Sequence, residues 1–401
     1  MFLLRNRDQV SDTRARFGNE RNAKREQHGE SGLPAAAGDS REPPSRGSGA
    51  RALQGLGIRR AREWVVQGWD RGLPFARLVK KFRIDKGAAQ MATLLADTPV
   101  TTPRAAPEAT RLALRIGGYS LGLWCEREMT VALDPEHQPF ATADTGGEAC
   151  DIEFDVCWAN ALQMPSSSPA FVSGGLWSAF SDSTGTKFYF SSPALGTTPY
   201  KAAWFDPAFQ RGHVVLNRSC FPANDQVFPL EYPIDELAMM HRLALGEGVE
   251  LHALGLVDRD GRGYLFLGHS GAGKSTTARL WMAEPGVKLL SDDRIILRKQ
   301  EGNFWMHGTP WHGDAGVASA GSAPLSSVFL LEQAPQNQIL PLAPGKAAAE
   351  LFARSFVPHY LKEGIQFSLS FFDELTRSIP CSIFRFAPTD SAVEAIRHAR
   401  E

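Results

Sequence analysis

A glycine-rich stretch, Tyr264–Leu280, is the feature that most limits how this chain can fold. The apolar run that opens it predicts a buried strand, and the residues from Lys274 onward predict a helix. The turn between them satisfies the pattern G-x-x-x-x-G-K-[ST]. The matching residues are Gly268, Gly273, Lys274 and Ser275. The stretch therefore predicts a strand–loop–helix unit within an α/β fold.

This loop has the composition of a nucleotide phosphate site. Glycines let successive backbone N–H groups curl around a phosphate, and the positive end of the following helix adds to the attraction. Lys274 is expected to contact the β- and γ-phosphates, and Ser275 is expected to bind Mg²⁺. An ordinary glycine-rich turn is the alternative. The residues expected to bind the nucleotide are Gly268, Ser270, Gly271, Ala272, Gly273, Lys274, Ser275 and Thr276.

The overall composition excludes several classes of protein. The chain has 401 residues, of which 43% are hydrophobic and 22% charged, and its formal net charge is −1. This balance gives no electrostatic attraction to nucleic acid or membranes. No signal peptide or membrane span is recognisable, and the five cysteines form no C-x-x-C pair. We expect a cytoplasmic protein without a disulfide framework or a structural zinc site.

Residues 1–108 are expected to form a disordered basic tail and linker. The first 60 or so residues are rich in Arg, Glu, Gly, Ser and Pro, a composition that disfavours a packed core. Between Arg60 and Leu95, aromatic and aliphatic residues recur at helical spacing. These short amphipathic helices are predicted either to dock a partner or to pack on the body of the chain.

Residues 109–232 are expected to form a β-rich accessory domain. Asp151–Trp158 alternates between apolar and acidic residues, and three further short strands follow between turns. The acidic row could be a metal site or a solvated strand face, and the second interpretation is the simpler one. The further strands are predicted at Lys187–Phe190, Ala202–Phe205 and His213–Leu216.

Residues 233–401 are expected to form the phosphate-loop domain. A helix is predicted at Pro233–Leu245, followed by a hairpin that leads into the glycine-rich loop. The strands predicted here are Val249–Val257, Val287–Leu290, Ile295–Leu297, Phe304–Met306, Ser327–Leu331 and, at a sheet edge, Cys381–Phe386. The later helices are predicted at Lys346–Phe356, at Gln366–Thr376 and from Thr389 or Asp390 through Ile396.

Several residues outside the loop are candidates for chemistry. Asp292 and Asp293 end a short strand soon after the loop, where one carboxylate could bind Mg²⁺ while the other accepts a proton. His252 lies in the strand before the loop and is either a core histidine or a functional one. His307 and His312 bracket a Gly-Thr-Pro-Trp turn. That turn is expected to lie near nucleotide or acceptor, with a metal site as the weaker alternative.

Together these motifs resemble the HPr serine kinase/phosphorylase family. The resemblance rests on Gly268–Ser275, on His252 before it, and on the sequence Leu290–Asp293 soon after it. It implies an α/β kinase domain whose fold is shared with ATP-dependent phosphoenolpyruvate carboxykinase. It also implies ATP and Mg²⁺ as cofactors, with Lys274 on phosphate and Ser275, Asp292 and Asp293 at the metal. The catalytic residues it implies are Asp292, Asp293, Lys274 and His252.

The sequence also departs from that family. Thr276 stands where HPr kinases have Glu, and their R-G-x-G-x-x-N stretch has no counterpart. These departures disfavour HPr as the acceptor and disfavour phosphorolysis, which the sequence does not decide. The expected activity is ATP-dependent phosphorylation of a serine on a protein or peptide. A nucleotide-binding sensor without transferase activity is the alternative, and a simple phosphate-loop hydrolase is a third possibility. The sequence identifies neither the acceptor nor the oligomeric state.

Overall fold

The computed structural model describes residues 110–398, except 144–148, 175, 193–194, 196–197 and 222–225. All of these belong to the second of the two units into which the chain divides, Val65–Glu401. The tail, helices and linker predicted for residues 1–108 lie outside the described residues. Within the described part of the chain, no helix is both long and apolar enough to cross a bilayer.

The described residues form a mixed α/β structure with two large sheets. In the first sheet the described strands follow the order β3-β1-β2-β4-β9-β8-β7-β6-β5. The strand β4 pairs in parallel with β2 on one side and with β9 on the other. The other pairs of this sheet are antiparallel, including β1 with β2 and β8 with β9. These strands are β1 (Thr110–Ile116), β2 (Tyr119–Cys125), β3 (Ala141–Thr142), β4 (Ile152–Ala159), β5 (Phe171–Ser173), β6 (Trp177–Asp182), β7 (Gly185–Phe190), β8 (Lys201–Phe205) and β9 (Arg211–Asn217).

The alternation predicted for β4 is confirmed. Ile152, Phe154 and Val156 are buried in the core of the first sheet, because every second side chain of a strand points to the same face. Between them, Glu153 and Asp155 are half-buried on the other face. Since β4 lies between β2 and β9, it is an interior strand rather than an edge.

The helix α1 (Ile234–Ala244) closes over the first sheet. Its buried residues Ile234, Leu237 and Leu243 belong to the same apolar cluster as the strands of that sheet. The sequence assigns α1 to the phosphate-loop domain, with a border at residue 233. The helix therefore packs into the core of the first sheet, which the sequence assigns to the accessory domain. The border at residue 233 itself stays a prediction.

The second sheet contains the glycine-rich loop. Its described strands follow the order β11-β10-β13-β14-β15-β18-β16, with β12 and β17 paired to β10 and with β11 also paired to β15. The strands are β10 (Gly248–Val257), β11 (Gly263–Leu267), β12 (Lys288–Ser291), β13 (Arg294–Gln300), β14 (Asn303–His307), β15 (Ser322–Gln333), β16 (Gln338–Pro341), β17 (Ser355–Phe356) and β18 (Cys381–Phe386).

Helices cover both faces of this sheet. The helices α2 (Lys274–Met282) and α5 (Ser391–His398) pack on one apolar cluster, while α3 (Pro344–Phe352) and α4 (Lys362–Ser378) pack on another. Neighbouring residues of β10 point to opposite clusters, with Ala253 in one and Leu254 in the other. Burial on both faces explains why β11 and the second half of β10, Ala253–Val257, are apolar without polar alternation.

Two of the predicted elements are present but wrong in one respect each: the end of a helix and the position of a strand within the sheet. The helix predicted at Lys346–Phe356 ends at Phe352, and Ser355–Phe356 instead forms β17, which pairs with Glu250 and Leu251 of β10. The edge strand predicted at Cys381–Phe386 is β18, which lies between β15 and β16. In both cases a backbone pairing with a distant part of the chain decides the structure, and local sequence does not report such a pairing.

Candidate nucleotide and phosphoryl-transfer site

The glycine-rich loop connects β11 to α2 and has the conformation that its glycines allow. Gly271 and Gly273 have φ of 83° and 111°, in the left-handed region that other residues rarely adopt. A Cβ on Gly273 would lie 2.3 Å from Cζ of the Phe386 ring. The loop is further held by Gln333, whose Nε2 donates to the Gly271 carbonyl at 2.8 Å. The loop thus comes closest to its surroundings at Gly273, where only glycine fits.

The N-terminus of α2 faces this loop. Gly273 is the N-cap residue, and the first turn contains no acidic side chain. The first N–H groups of a helix have no partner within the helix, and they carry its positive dipole end. Lys274 is buried, and its Nζ donates to the Gly268 carbonyl at 2.9 Å. Backbone N–H groups and a lysine ammonium therefore meet at one place, which is the composition of an anion site.

Replacing Gly273 by alanine is expected to destabilise the protein by about 2 to 5 kcal/mol. Left-handed strain contributes about 1–2 kcal/mol, and displacement of the Phe386 ring adds about 1–3 kcal/mol. Gly261→Ala is the matched control, because Gly261 also has positive φ (+85°) but has open space around its Cβ position. Urea unfolding of both variants measures the difference. Equal losses of stability would mean that contact with Phe386 does not matter.

Asp292 and Asp293 follow β12 directly, and both are buried, with 3% and 4% exposure. The two carboxylates have different partners. Asp292 accepts from the backbone N–H of Gly313 and of Ala315, one on each oxygen, at 2.8 Å. Asp293 lies 3.1 Å from Nε2 of His252 and also pairs with the Arg294 guanidinium. The structure therefore distinguishes two carboxylates that the sequence leaves equivalent.

The strand β10 relates the loop to these acids. Ala253 of β10 pairs with Leu267, the last residue before the loop, and its N–H donates to the Asp293 carbonyl at 3.1 Å. Leu267 and Asp293 thus flank one residue. Because neighbouring strands lie about 4.8 Å apart, the backbones of Leu267 and Asp293, one on each side of Ala253, are about 10 Å apart. His252 precedes Ala253 in the same strand, so the start of the loop, the histidine and the acid pair converge.

Arg294 connects the acid pair to buried carboxylates on other elements. Its Nε lies 2.8 Å from Glu236 of α1 and 3.6 Å from Glu250 of β10. Its Cζ lies 4.1 Å from the centre of the Phe356 ring. One guanidinium thus faces three carboxyl groups, those of Asp293, Glu236 and Glu250. Burial, followed by the neighbouring Glu236 carboxylate, raises the pKa of Glu250 well above its ordinary value. The folded environment therefore favours the protonated form of Glu250 more than water does.

Glu250→Gln is expected to change how stability depends on pH. The folded protein keeps the Glu250 proton above the unfolded pKa of about 4.3, so wild-type stability falls as pH rises toward the raised folded pKa. Glutamine has no proton to retain. As pH rises, the free energy of unfolding of the wild type should therefore fall relative to that of the variant, by up to about 1.4 kcal/mol per pH unit.

Urea unfolding between about pH 5 and about pH 8 tests this expectation. Glu363→Gln on α4, where the side chain is exposed, serves as the control and should track the wild type across this range. Parallel curves for wild type and Glu250→Gln would show that Glu250 ionises normally in the folded state.

The segment between β14 and β15 reaches the site through its backbone. Through Gly313 and Ala315 it donates both hydrogen bonds to Asp292, and the Trp311 indole Nε1 donates to Asp235 of α1 at 2.6 Å. Burial, followed by the charge of Arg298, lowers the pKa of His307 to about 4. His312 contacts the Gly313 carbonyl. Among the described residues, neither His307 nor His312 lies in a cluster of three or more side chains that could hold a metal ion.

Sequence reasoning missed the residues that support the acid pair. Arg294 directly follows Asp293, but Glu236, which pairs with Arg294, lies 58 positions before Arg294 in the sequence. The amides that hold Asp292 come from residues 21 and 23 positions later. Backbone donors leave no trace in a side-chain pattern. Only the Gly-rich composition around Gly313 could have indicated a close approach of backbone to the acids.

The part of the chain that contains this site is similar to a known protein family. Residues 232–385 match the family model described as SynChlorMet cassette protein ScmC. The match covers less than half of the chain and contains the loop, His252, both aspartates and Arg294. No curated protein sequence matches the chain. Among solved structures, the HPr(Ser) kinase/phosphatase from Coxiella burnetii is similar over 38% of this chain and 90% of its own, at 14% identity and a TM-score of 0.23.

Proposed function

We propose that the chain is an ATP- and Mg²⁺-dependent kinase that phosphorylates a serine hydroxyl on a protein or peptide. The observation that carries the proposal is the pairing of Ala253. This residue has the strand that enters the glycine-rich loop on one side and Asp293 on the other. Phosphoryl transfer requires mainly positioning and neutralisation of charge, and this arrangement offers a phosphate cradle next to paired carboxylates.

The residues of the loop fit the triphosphate of ATP. The amides at the start of α2 and the Lys274 ammonium would bind phosphate oxygens, and the absence of a Cβ at Gly273 lets the backbone turn tightly there. Ser275, the second residue of α2, would bind Mg²⁺ together with Asp292. Asp292 suits this role because both its oxygens are oriented by backbone amides, as the carboxylates that bind metals usually are. When bound, Mg²⁺ supplies positive charge that neutralises the phosphates.

Asp293 is the residue that we assign to proton transfer. Its carboxylate would accept the proton of the serine hydroxyl while the serine oxygen bonds to the γ-phosphorus and the bond to the β-phosphate oxygen breaks, which releases ADP. His252, at 3.1 Å, can accept the proton from Asp293. The His252 side chain is 17% exposed, compared with 6% for Asp293, so it offers the route to solvent. Arg294 would hold Asp293 in place.

The name of the matching family, a cassette protein, makes proteins encoded beside the chain the first acceptors to test. The full chain should be incubated with γ-labelled ATP and Mg²⁺ in the presence of these proteins. Mass spectrometry of the labelled acceptor should identify phosphoserine. Tight nucleotide binding by calorimetry with no labelled acceptor would favour the nucleotide sensor instead. Release of phosphate without any acceptor would indicate a hydrolase.

A further inference from the structure

A second cluster of possible ligands lies away from the glycine-rich loop. A 3-10 helix, Pro135–Phe140, precedes β3 of the first sheet, and Asp134 is its N-cap residue. One ligand atom from each of Asp134, Glu136 and His137 lies within 4.8 Å of the other two. Asp134 makes no side-chain hydrogen bond to the end of this helix, so capping does not account for its carboxylate. Acidic residues alone do not make a metal site, so the burial and hydrogen bonding of His137 are the deciding evidence.

His137 is 2% exposed, and its two ring nitrogens have different surroundings. Nε2 lies 2.8 Å from the Asp235 carboxylate. Asp235 is fully buried and accepts from the Trp311 indole as well. Since a carboxylate only accepts, Nε2 carries a proton, and in the neutral ring Nδ1 then presents a lone pair. Within the described residues, Nδ1 is buried and has no hydrogen-bond partner, an arrangement that costs free energy unless something binds there.

This is the arrangement that metal-binding histidines adopt. Such a histidine donates its other ring N–H to a carboxylate, which fixes the tautomer and orients the ring toward the metal. The carboxylates of Asp134 and Glu136 each place an oxygen within 4.8 Å of the other, so their negative charges repel each other. The nearby Lys201 ammonium is 2.9 Å from Glu231 and pairs with that residue. A cation between the two acids would relieve their repulsion.

We infer that Asp134, Glu136 and His137 form a binding site for a divalent transition-metal cation, with Asp235 as the carboxylate that orients His137. One imidazole and two carboxylates suit Zn²⁺ or Mn²⁺ better than the hard cations Mg²⁺ and Ca²⁺, which prefer oxygen ligands alone. Asp134 and Glu136 are half-exposed, and this leaves a path from solvent for the ion. The inference does not depend on the proposed kinase activity.

Calorimetric titration of the chelator-treated full chain with Zn²⁺, without nucleotide, tests the inference. We expect one saturable site and a higher unfolding temperature with Zn²⁺, and no comparable effect of Mg²⁺. Asp134→Asn and Glu136→Gln should each weaken Zn²⁺ binding by at least about tenfold, and Asp235→Asn by about 10- to 100-fold. Asp134 and Glu136 are half-exposed, so their variants should fold even if a substitution of His137 does not.

Two matched variants separate this site from others. Glu128→Gln changes an exposed acid of the same region, and Asp292→Asn changes the site near the loop. Both should bind Zn²⁺ as the wild type does. The inference is overturned if no saturable binding is found, if Asp134→Asn and Glu136→Gln bind as Glu128→Gln does, or if Asp292→Asn abolishes binding.

Discussion

Replacement of Asp293 by asparagine is expected to lower the rate of phosphoryl transfer by at least about 100-fold, the lower end of the range for loss of a general base. Asparagine keeps the size of the side chain but cannot accept the proton of the serine hydroxyl. It also loses the charge that pairs with His252 and Arg294. The measurement is the initial rate of transfer from γ-labelled ATP to the acceptor at saturating ATP.

The comparison variants show whether this loss is chemical. Asp260→Asn removes an exposed carboxylate from the turn between β10 and β11 and should keep the wild-type rate. Asp292→Asn should instead raise the Mg²⁺ concentration needed for half-maximal rate, because Asp292 is assigned to the metal. If Asp293→Asn folds, binds ATP and transfers phosphate at the wild-type rate, Asp293 is not the base and the assignment of the two aspartates is wrong.

Lys274→Met is expected to have the second largest effect. The substitution removes the ammonium that would stabilise the transferring phosphoryl group, and loss of one such preorganised donor costs about 100- to 1,000-fold in rate. ATP affinity should fall as well, because the same charge binds the phosphates in the ground state. Transfer assays and calorimetric titration with ATP measure the two effects separately.

Lys288→Met provides the control for Lys274→Met. It makes the same change of net charge at an exposed lysine of β12 and should leave both ATP affinity and rate unchanged. Lys274 also donates to the Gly268 carbonyl, so the unfolding temperature of each variant should be measured alongside. Wild-type ATP affinity in a folded Lys274→Met variant would remove the main support for a phosphate site at this loop.

Much of the second sheet could be predicted because its signals are local. Asp258–Gly263 is rich in turn residues between two apolar runs, so the hairpin of β10 and β11 is readable from sequence. The structure confirms these strands at Gly248–Val257 and Gly263–Leu267. It also confirms that a short strand, Lys288–Ser291, ends immediately before the two aspartates. Strand, turn and helix signals within a few residues are enough for such predictions.

The rest depends on contacts between distant residues. The two-residue strand β17 exists because β10 offers it a partner, and β18 is interior because β16 folds back over it. At the site, the sequence indicates Asp292 and Asp293 but cannot tell them apart. The difference between them comes from the Gly313 and Ala315 amides on one side and from Arg294 and His252 on the other. Their catalytic roles stay predictions until the variants are measured.

The position of β10 has a consequence for how the site responds to heat. This strand pairs with β11, β12, β13 and β17 along its length, and strands bonded on both sides open only when most of a domain opens. Because Ala253 belongs to this strand, the loop and Asp293 cannot separate while it stays paired. Warming should therefore leave the geometry of the site intact until the domain melts as a whole, without a partly active intermediate.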